Sequence, residues 1–150
     1  MTDGFMELCY DIPADDFLHA GEASSNVKNM LNQLGICPQI VKKIAIAMYE
    51  AEINAVIHAS GGVANIKIWK DKVVIRISDK GPGIPNVELA MQEGYTTAPD
   101  HIRDMGFGAG MGLPNIKRYS DRLEIDTEVG KGTNVTITVY IETVDDKNGS

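Results

Sequence analysis

Between Pro38 and about Ala59 the sequence reads as one long helix with almost no polar side. Ile40, Ile44, Ala47, Ala51 and Ala55 recur at helical spacing, and Val41, Met48 and Ile57 widen the stripe. Proline is tolerated in a first turn, where its missing N–H would have had no intrahelical partner. Gly61-Gly62 closes the segment. A helix this apolar must be covered by other elements, so each polar residue on it calls for a reason. Glu50, Asn54 and His58 stand four residues apart and form a slanted ridge on one face. Glu52 lies roughly 200° around the helix from Glu50 and is expected to be solvated.

The elements around that helix follow from changes of period. Phe5 to Asp11 suits a short edge strand. Ala23–Leu34 carries Val27, Met30, Leu31 and Leu34 at helical spacing, with Gly35 placed to end the helix. Asn65–Lys70 and Val73–Ser78 alternate on either side of Asp71-Lys72, which predicts a hairpin. Val87–Gly94 fits a short helix, and Tyr95–Gly110 has no apolar period and reads as a long binding loop or lid. Pro114–Arg118 reads as a helix. Leu123–Glu128, the Gly130-Lys131-Gly132 turn and Thr133–Ile141 form a second hairpin. Strands gathered in hairpins, with helices between, predict an α+β two-layer sandwich with a mixed, mostly antiparallel sheet and helices on one face.

A chain of 150 residues suits a single domain spanning 1–150, with 145–150 expected to be a frayed tail. The net charge of −7 argues against nucleic acid or an anionic membrane as partner, because both demand a basic surface. Lone Trp69 and three Phe offer no platform on which bases would stack. No apolar run is long enough for a membrane span, and the first residues, MTDGFMELCYD, lack the basic and apolar regions of a secretory signal. Cys9 and Cys37 match no metal spacing and suit reduced thiols in a cytoplasmic protein.

Three features carry chemistry. On the long helix, a carboxamide at Asn54 can offer oxygen to a hard cation such as Mg²⁺, and Glu50 one turn earlier can orient or deprotonate a nucleophile. Taken alone, the same pair also suits an ordinary wet helix face, and His58 suits a helix-end cap. Asp79-Lys80-Gly81-Pro82-Gly83-Ile84 follows a strand directly. There a carboxylate can enter a pocket and accept from an exocyclic amine, while the glycines let backbone approach a flat ligand. Gly106, Gly108, Gly110 and Gly112 alternate and then enter a helix, an arrangement whose amides suit an anion. Neither a Walker A loop nor a dinucleotide fingerprint matches it.

In this order, EAEINAVIH (50–58), DKGPGI (79–84), EGYTTAP (93–99), GFGAGMGLPNIKR (106–118) and the Gly-x-Gly-Thr at 130–133 resemble the GHKL ATPase superfamily. Within it the match is to bacterial anti-sigma-factor serine/threonine kinases, and GL-P-x-x-KR looks most like the switch kinases of stress-signalling complexes. The resemblance covers about Phe5 to Ile141. Histidine-kinase, gyrase and MutL relatives fit less well: they carry a basic residue where Ile57 stands, and the chain leaves no room for a phosphoacceptor domain.

The resemblance implies a Bergerat ATP-binding fold with ATP and Mg²⁺ as cofactors. Asn54 would ligate the metal and Glu50 would act as base or orienter. Asp79 would accept from the adenine amine, with Gly81, Gly83 and Ile84 beside the ring. Thr96, Thr97, Gly106, Gly108, Gly110, Met111 and Gly112 would close over the phosphates, and Thr133 would support the adenine end. It further implies phosphorylation of a STAS-domain antagonist, with a sigma factor or PP2C-type phosphatase as further partners. Homodimerisation through the N-terminal strand and helix, as in relatives, is left open. So is the alternative of an ATP-gated binding module with little kinase activity.

Overall fold

The computed structural model describes residues 5–14, 18–58, 61–84, 86–92 and 112–141. Five strands form one sheet: β1 (Met6–Ile12), β2 (Gly62–Ile68), β3 (Lys72–Asp79), β4 (Arg122–Glu128) and β5 (Gly132–Tyr140). Their spatial order is β1-β2-β3-β5-β4. Every described pairing is antiparallel. The helices are α1 (Glu22–Gln33), α2 (Pro38–His58), α3 (Val87–Ala90) and α4 (Gly112–Tyr119). The expected boundaries of the first helix pair and both hairpins shift by one to three residues. The short helix expected over 87–94 ends at Ala90; at its start Asn86 caps it by accepting from the Leu89 N–H at 3.0 Å. Residues 93–111, including the loop expected over 95–110, and the tail 145–150 lie outside the described residues, as does the Ala59 end of the long helix.

The strands alternate as their sequences require. Ala64, Ile66 and Ile68 of β2, Val73, Ile75 and Ile77 of β3, and Val135, Ile137 and Val139 of β5 are buried on the helix side. Helix α2 lies over them, supplying Val41, Ile44, Ala47, Met48, Ala51, Ala55 and Val56 to the core. It is flanked by α1 and α4, and it packs against α4 more extensively than against any strand. Helix α4 contributes Leu113 and Ile116. An α+β two-layer sandwich with helices on one face is therefore what forms. Both cysteines are free.

Each flanking helix is fastened by polar groups as well as by packing. Helix α1 ends in a complete Schellman motif: the Gly35 N–H donates to Asn32 O at 3.1 Å and the Ile36 N–H to Leu31 O at 3.2 Å. On the far side of α2, Lys43 pairs with Asp121 at 3.0 Å, and the Tyr140 N–H donates to the same carboxylate at 2.7 Å. Burial pushes that carboxyl up, but the Tyr140 amide and Lys43 outweigh it, and Asp121 stays below the usual carboxylate range.

Glu52 corrects the sequence expectation. It is only 3% exposed. Its Oε2 accepts from the Gly21 N–H at 3.0 Å and the Ala23 N–H at 3.2 Å, and its Oε1 from the Ser24 N–H at 3.0 Å. The side of α2 opposite Glu50 faces the N-terminus of α1, not water. That terminus has no capping side chain of its own, so its orphan amides and positive dipole end take the carboxylate from α2. Removing Glu52 strands these donors inside the protein. Glu52→Ala is expected to lower unfolding free energy by about 3 kcal/mol, and Glu52→Gln by less, since one carbonyl oxygen still accepts. Urea unfolding of the two variants measures this directly.

Candidate functional site

The polar ridge of α2 and the turn after β3 are the two separate halves of the candidate site. On α2, Glu50 and Asn54 are both half-buried and one turn apart. His58 is the last residue of the helix, and its side chain lies outside what the structure describes. Burial raises the Glu50 carboxyl above the ordinary carboxylate range, and a hydrogen bond from Asn115 pulls it part of the way back. That bond runs from Asn115 Nδ2, in the first turn of α4, to Glu50 Oε2 at 3.4 Å. Sequence reasoning missed Asn115. The packing of α4 on α2 is what brings it to Glu50, and no short-range pattern records that packing. The Asn54 carboxamide makes no described hydrogen bond, so its oxygen is unspent on the face where Glu50 sits.

The second half is stiffer. Asp79 closes β3 opposite Thr133 on β5. Its Oδ1 accepts from the Gly81 N–H at 2.8 Å and the Thr133 N–H at 3.2 Å. The first bond is an Asx turn, which shapes Asp79–Gly83 from within. Among the described residues Oδ2 has no partner, so one carboxylate oxygen is fixed and the other is left to accept. The turn then locks onto the β4–β5 turn. The Gly130 N–H donates to Pro82 O at 2.9 Å, and the Ile84 N–H donates to Thr127 Oγ1 at 2.8 Å.

Two glycines make this contact feasible. Gly83 has φ +81°, and a side chain there would sit 2.6 Å from Glu128 O. Gly132 has φ +121°, and a side chain there would meet Asp79 O at 2.1 Å. Thr127 also donates to Gly132 O at 3.2 Å and lies 2.8 Å from Thr133 Oγ1. Either hydroxyl can supply the hydrogen between the two threonines, and in both cases a lone pair on Thr133 Oγ1 is left to accept. Sequence reasoning named Thr133 and passed over Thr127, whose place in an alternating strand gave no hint that its hydroxyl ties three segments together.

The structure thus joins Asp79, Gly81, Gly83, Ile84 and Thr133 into one hydrogen-bonded corner, and it places Glu50 beside Asn115 with Asn54 one turn on. No described hydrogen bond links the two halves. Gly112 is the first residue of α4. Thr96, Thr97, Gly106, Gly108, Gly110 and Met111 lie outside the described residues. The donors fit the groups expected to bind: unspent acceptors at Asp79 and Thr133 suit an amine-bearing ring, and the unspent Asn54 oxygen suits a hard cation. Among the described residues no cluster of three His, Cys, Asp or Glu could hold a metal alone. A cation at Asn54 would therefore draw most of its ligands from phosphate and water. No helix among the described residues is long and apolar enough to cross a membrane.

Comparison with known proteins agrees with this geometry. The sequence profile described as "Histidine kinase-, DNA gyrase B-, and HSP90-like ATPase" matches residues 40–143. The anti-sigma F factor of Clostridium beijerinckii is 39% identical over 103 residues, 65% of this chain and 68% of its own length. That of Clostridium acetobutylicum is 30% identical over 129 residues, covering 83% and 87%. The serine/threonine-protein kinase RsbT of Bacillus subtilis is 29% identical over 112 residues, covering 72% and 78%. Identity is thus higher to these anti-sigma F factors than to RsbT. In fold, the RsbU and RsbW domains of Rv1364c from Mycobacterium tuberculosis superimpose with a TM-score of 0.62 at 17% identity, over 91% of this chain and 32% of that one. The mycobacterial sensor histidine kinase MprB gives 0.53 at 17% identity, over 93% and 100%. Profile, relatives and fold converge: this chain belongs to the histidine kinase-, DNA gyrase B- and HSP90-like (GHKL) ATPase family and is a relative of its anti-sigma factors and anti-sigma-factor kinases.

Proposed function

We propose that this protein is an ATP- and Mg²⁺-dependent serine/threonine kinase of a bacterial partner-switching pathway, whose substrate is a hydroxyl on a STAS-domain antagonist protein. The observation that carries this reading is the pairing of a half-buried, ionisable Glu50, steered by Asn115, with an unspent Asn54 one turn away. A domain that only binds nucleotide needs the second residue and has no use for the first. Bound Mg²⁺–ATP would supply the transferable phosphoryl group and the charge that stabilises its passage. Asp79 Oδ2 and Thr133 Oγ1 accept hydrogen bonds at the adenine end. Asn54 offers its carbonyl oxygen to the metal. Glu50 takes the proton of the acceptor hydroxyl as the new O–P bond forms and the bond to ADP breaks. A sigma factor, the partner that the name of the anti-sigma F relatives states, or a phosphatase would be a further partner, and the added phosphate, about −1.5 to −2 charges at neutral pH, would switch between partners.

A second reading has one observation in its favour: the relatives with the higher identities bear the name anti-sigma F factor. In that reading ATP gates binding and transfer is minor. Labelled ATP incubated with the protein and a STAS-domain substrate separates the two. Phosphoserine or phosphothreonine on the substrate supports the kinase, and nucleotide-dependent co-elution without transfer supports the module.

Glu50→Gln is expected to keep ATP affinity and to lose transfer by at least about 100-fold. It should also gain stability at pH 7. Burial raises the folded pKa of Glu50 above its unfolded value, so the native state binds the extra proton and stability falls as pH rises through that window. Gln carries no charge to bury. Asn115→Ala removes the donor that holds Glu50 down. The acid limb of transfer against pH should move to higher pH, and carboxyl NMR should show the matching rise for Glu50 with no substrate present.

A further inference from the structure

The face of the sheet turned away from the helices has a polarity that the ATP site does not use. Near the β2–β3 turn its outward residues include Lys67 and Lys72, with Glu7 opposite Lys67 in the register, and at the end next to Asp79 they include Asp11 and Asp126. In a chain of net charge −7, the cationic corner is the unusual one. It is also aromatic. The Phe5 and Trp69 rings lie 5.1 Å apart between centroids, tilted by 43°. Lys67 Nζ sits 5.3 Å from the Phe5 centroid and Lys72 Nζ 5.0 Å from that of Trp69. A cleft of about 490 Å³ opens among Phe5, Trp69, Asp71 and Lys72. Tyr140, opposite Lys72 in the register, is 49% exposed, and Phe5 is 44% exposed.

Folding alone does not account for this corner. Exposed cation–π pairs contribute only about 0.5–1 kcal/mol each, and half-exposed rings leave apolar surface in water. Neither Lys67 nor Lys72 has a carboxylate partner in an ion pair among the described residues. What the arrangement does provide is order: two ammonium groups held in place over rings lose little entropy when an anion arrives.

We propose that this corner is a docking site for an acidic segment of a partner protein. An apolar side chain of that segment enters the cleft beside Phe5 and Trp69, and its carboxylates pair with Lys67 and Lys72. The site stands at the opposite end of β3 from Asp79, about 23 Å away at about 3.3 Å per residue. It is therefore separate from the ATP reading and holds or fails independently of it.

Trp69 is the only tryptophan, so its fluorescence reports the corner directly. The probe is a short peptide of Asp and Glu residues around one central Leu, with a Lys-for-acid counterpart as control. The acidic peptide is expected to change Trp69 emission saturably. The double charge reversal Lys67→Glu with Lys72→Glu should weaken it at least about ten-fold, and added salt should weaken it too. Thermal unfolding checks that the double variant folds, and its ATP affinity should equal that of the wild type. The proposal is overturned by the absence of a saturable change at millimolar peptide, by an equal response to the Lys counterpart, or by undiminished affinity in the folded double variant. A Trp69 signal that tracks protein concentration without peptide also overturns it, because a second copy would then cover the face.

Discussion

Helix α2 is covered along most of its length, and the functional groups it carries take their positions from what covers it. The sheet covers one side through its alternating Ile and Val residues. Helices α1 and α4 cover the flanks. Because α2 is held on three sides, the few polar residues it carries cannot drift. Glu52 is spent on α1, while Glu50 and Asn54 are left on the side where α4 begins. A carboxylate in such a place pays in desolvation, which is why its pKa is raised. It gains in return a fixed direction and one neutral donor, Asn115.

The other half of the site depends on a different device. Two tight turns, one after β3 and one between β4 and β5, approach so closely that side chains at Gly83 or Gly132 would collide with backbone. Asp79 and Thr127 tie them together through main-chain amides. The outcome is an acceptor corner shaped by the protein's own hydrogen bonds. In the proposed function, base recognition falls to this corner of the sheet and the chemistry to the helix above it.

Much of this was legible in the sequence. Alternation located the strands within a few residues, Gly35 marked a true helix end, and the Asp79 turn and the Glu50–Asn54 spacing stand where the pattern put them. What could not be read was non-local. Glu52 looked like a solvent-facing residue because helical geometry gives an angle but not a neighbour, and its partners lie 28 to 31 residues earlier. Asn115 meets Glu50 across 65 residues, a contact that exists only once α4 has docked. Thr127 alternates like any strand residue, and its role comes from sitting where β4 meets two turns. In each case the missing information was which element faces which, and tertiary packing alone supplies that.

The central claim is that Asn54 and the Asp79 corner engage the same bound nucleotide from two sides. Side-chain and backbone amide NMR of the protein, titrated first with adenosine and then with Mg²⁺ and a non-hydrolysable ATP analogue, tests it most directly. The account predicts that the Gly81 and Thr133 amides move with adenosine alone, and that the Asn54 side-chain amide moves only when metal and triphosphate are both present. An Asn54 signal indifferent to Mg²⁺ and triphosphate, in a protein whose Asp79 corner responds, would contradict it.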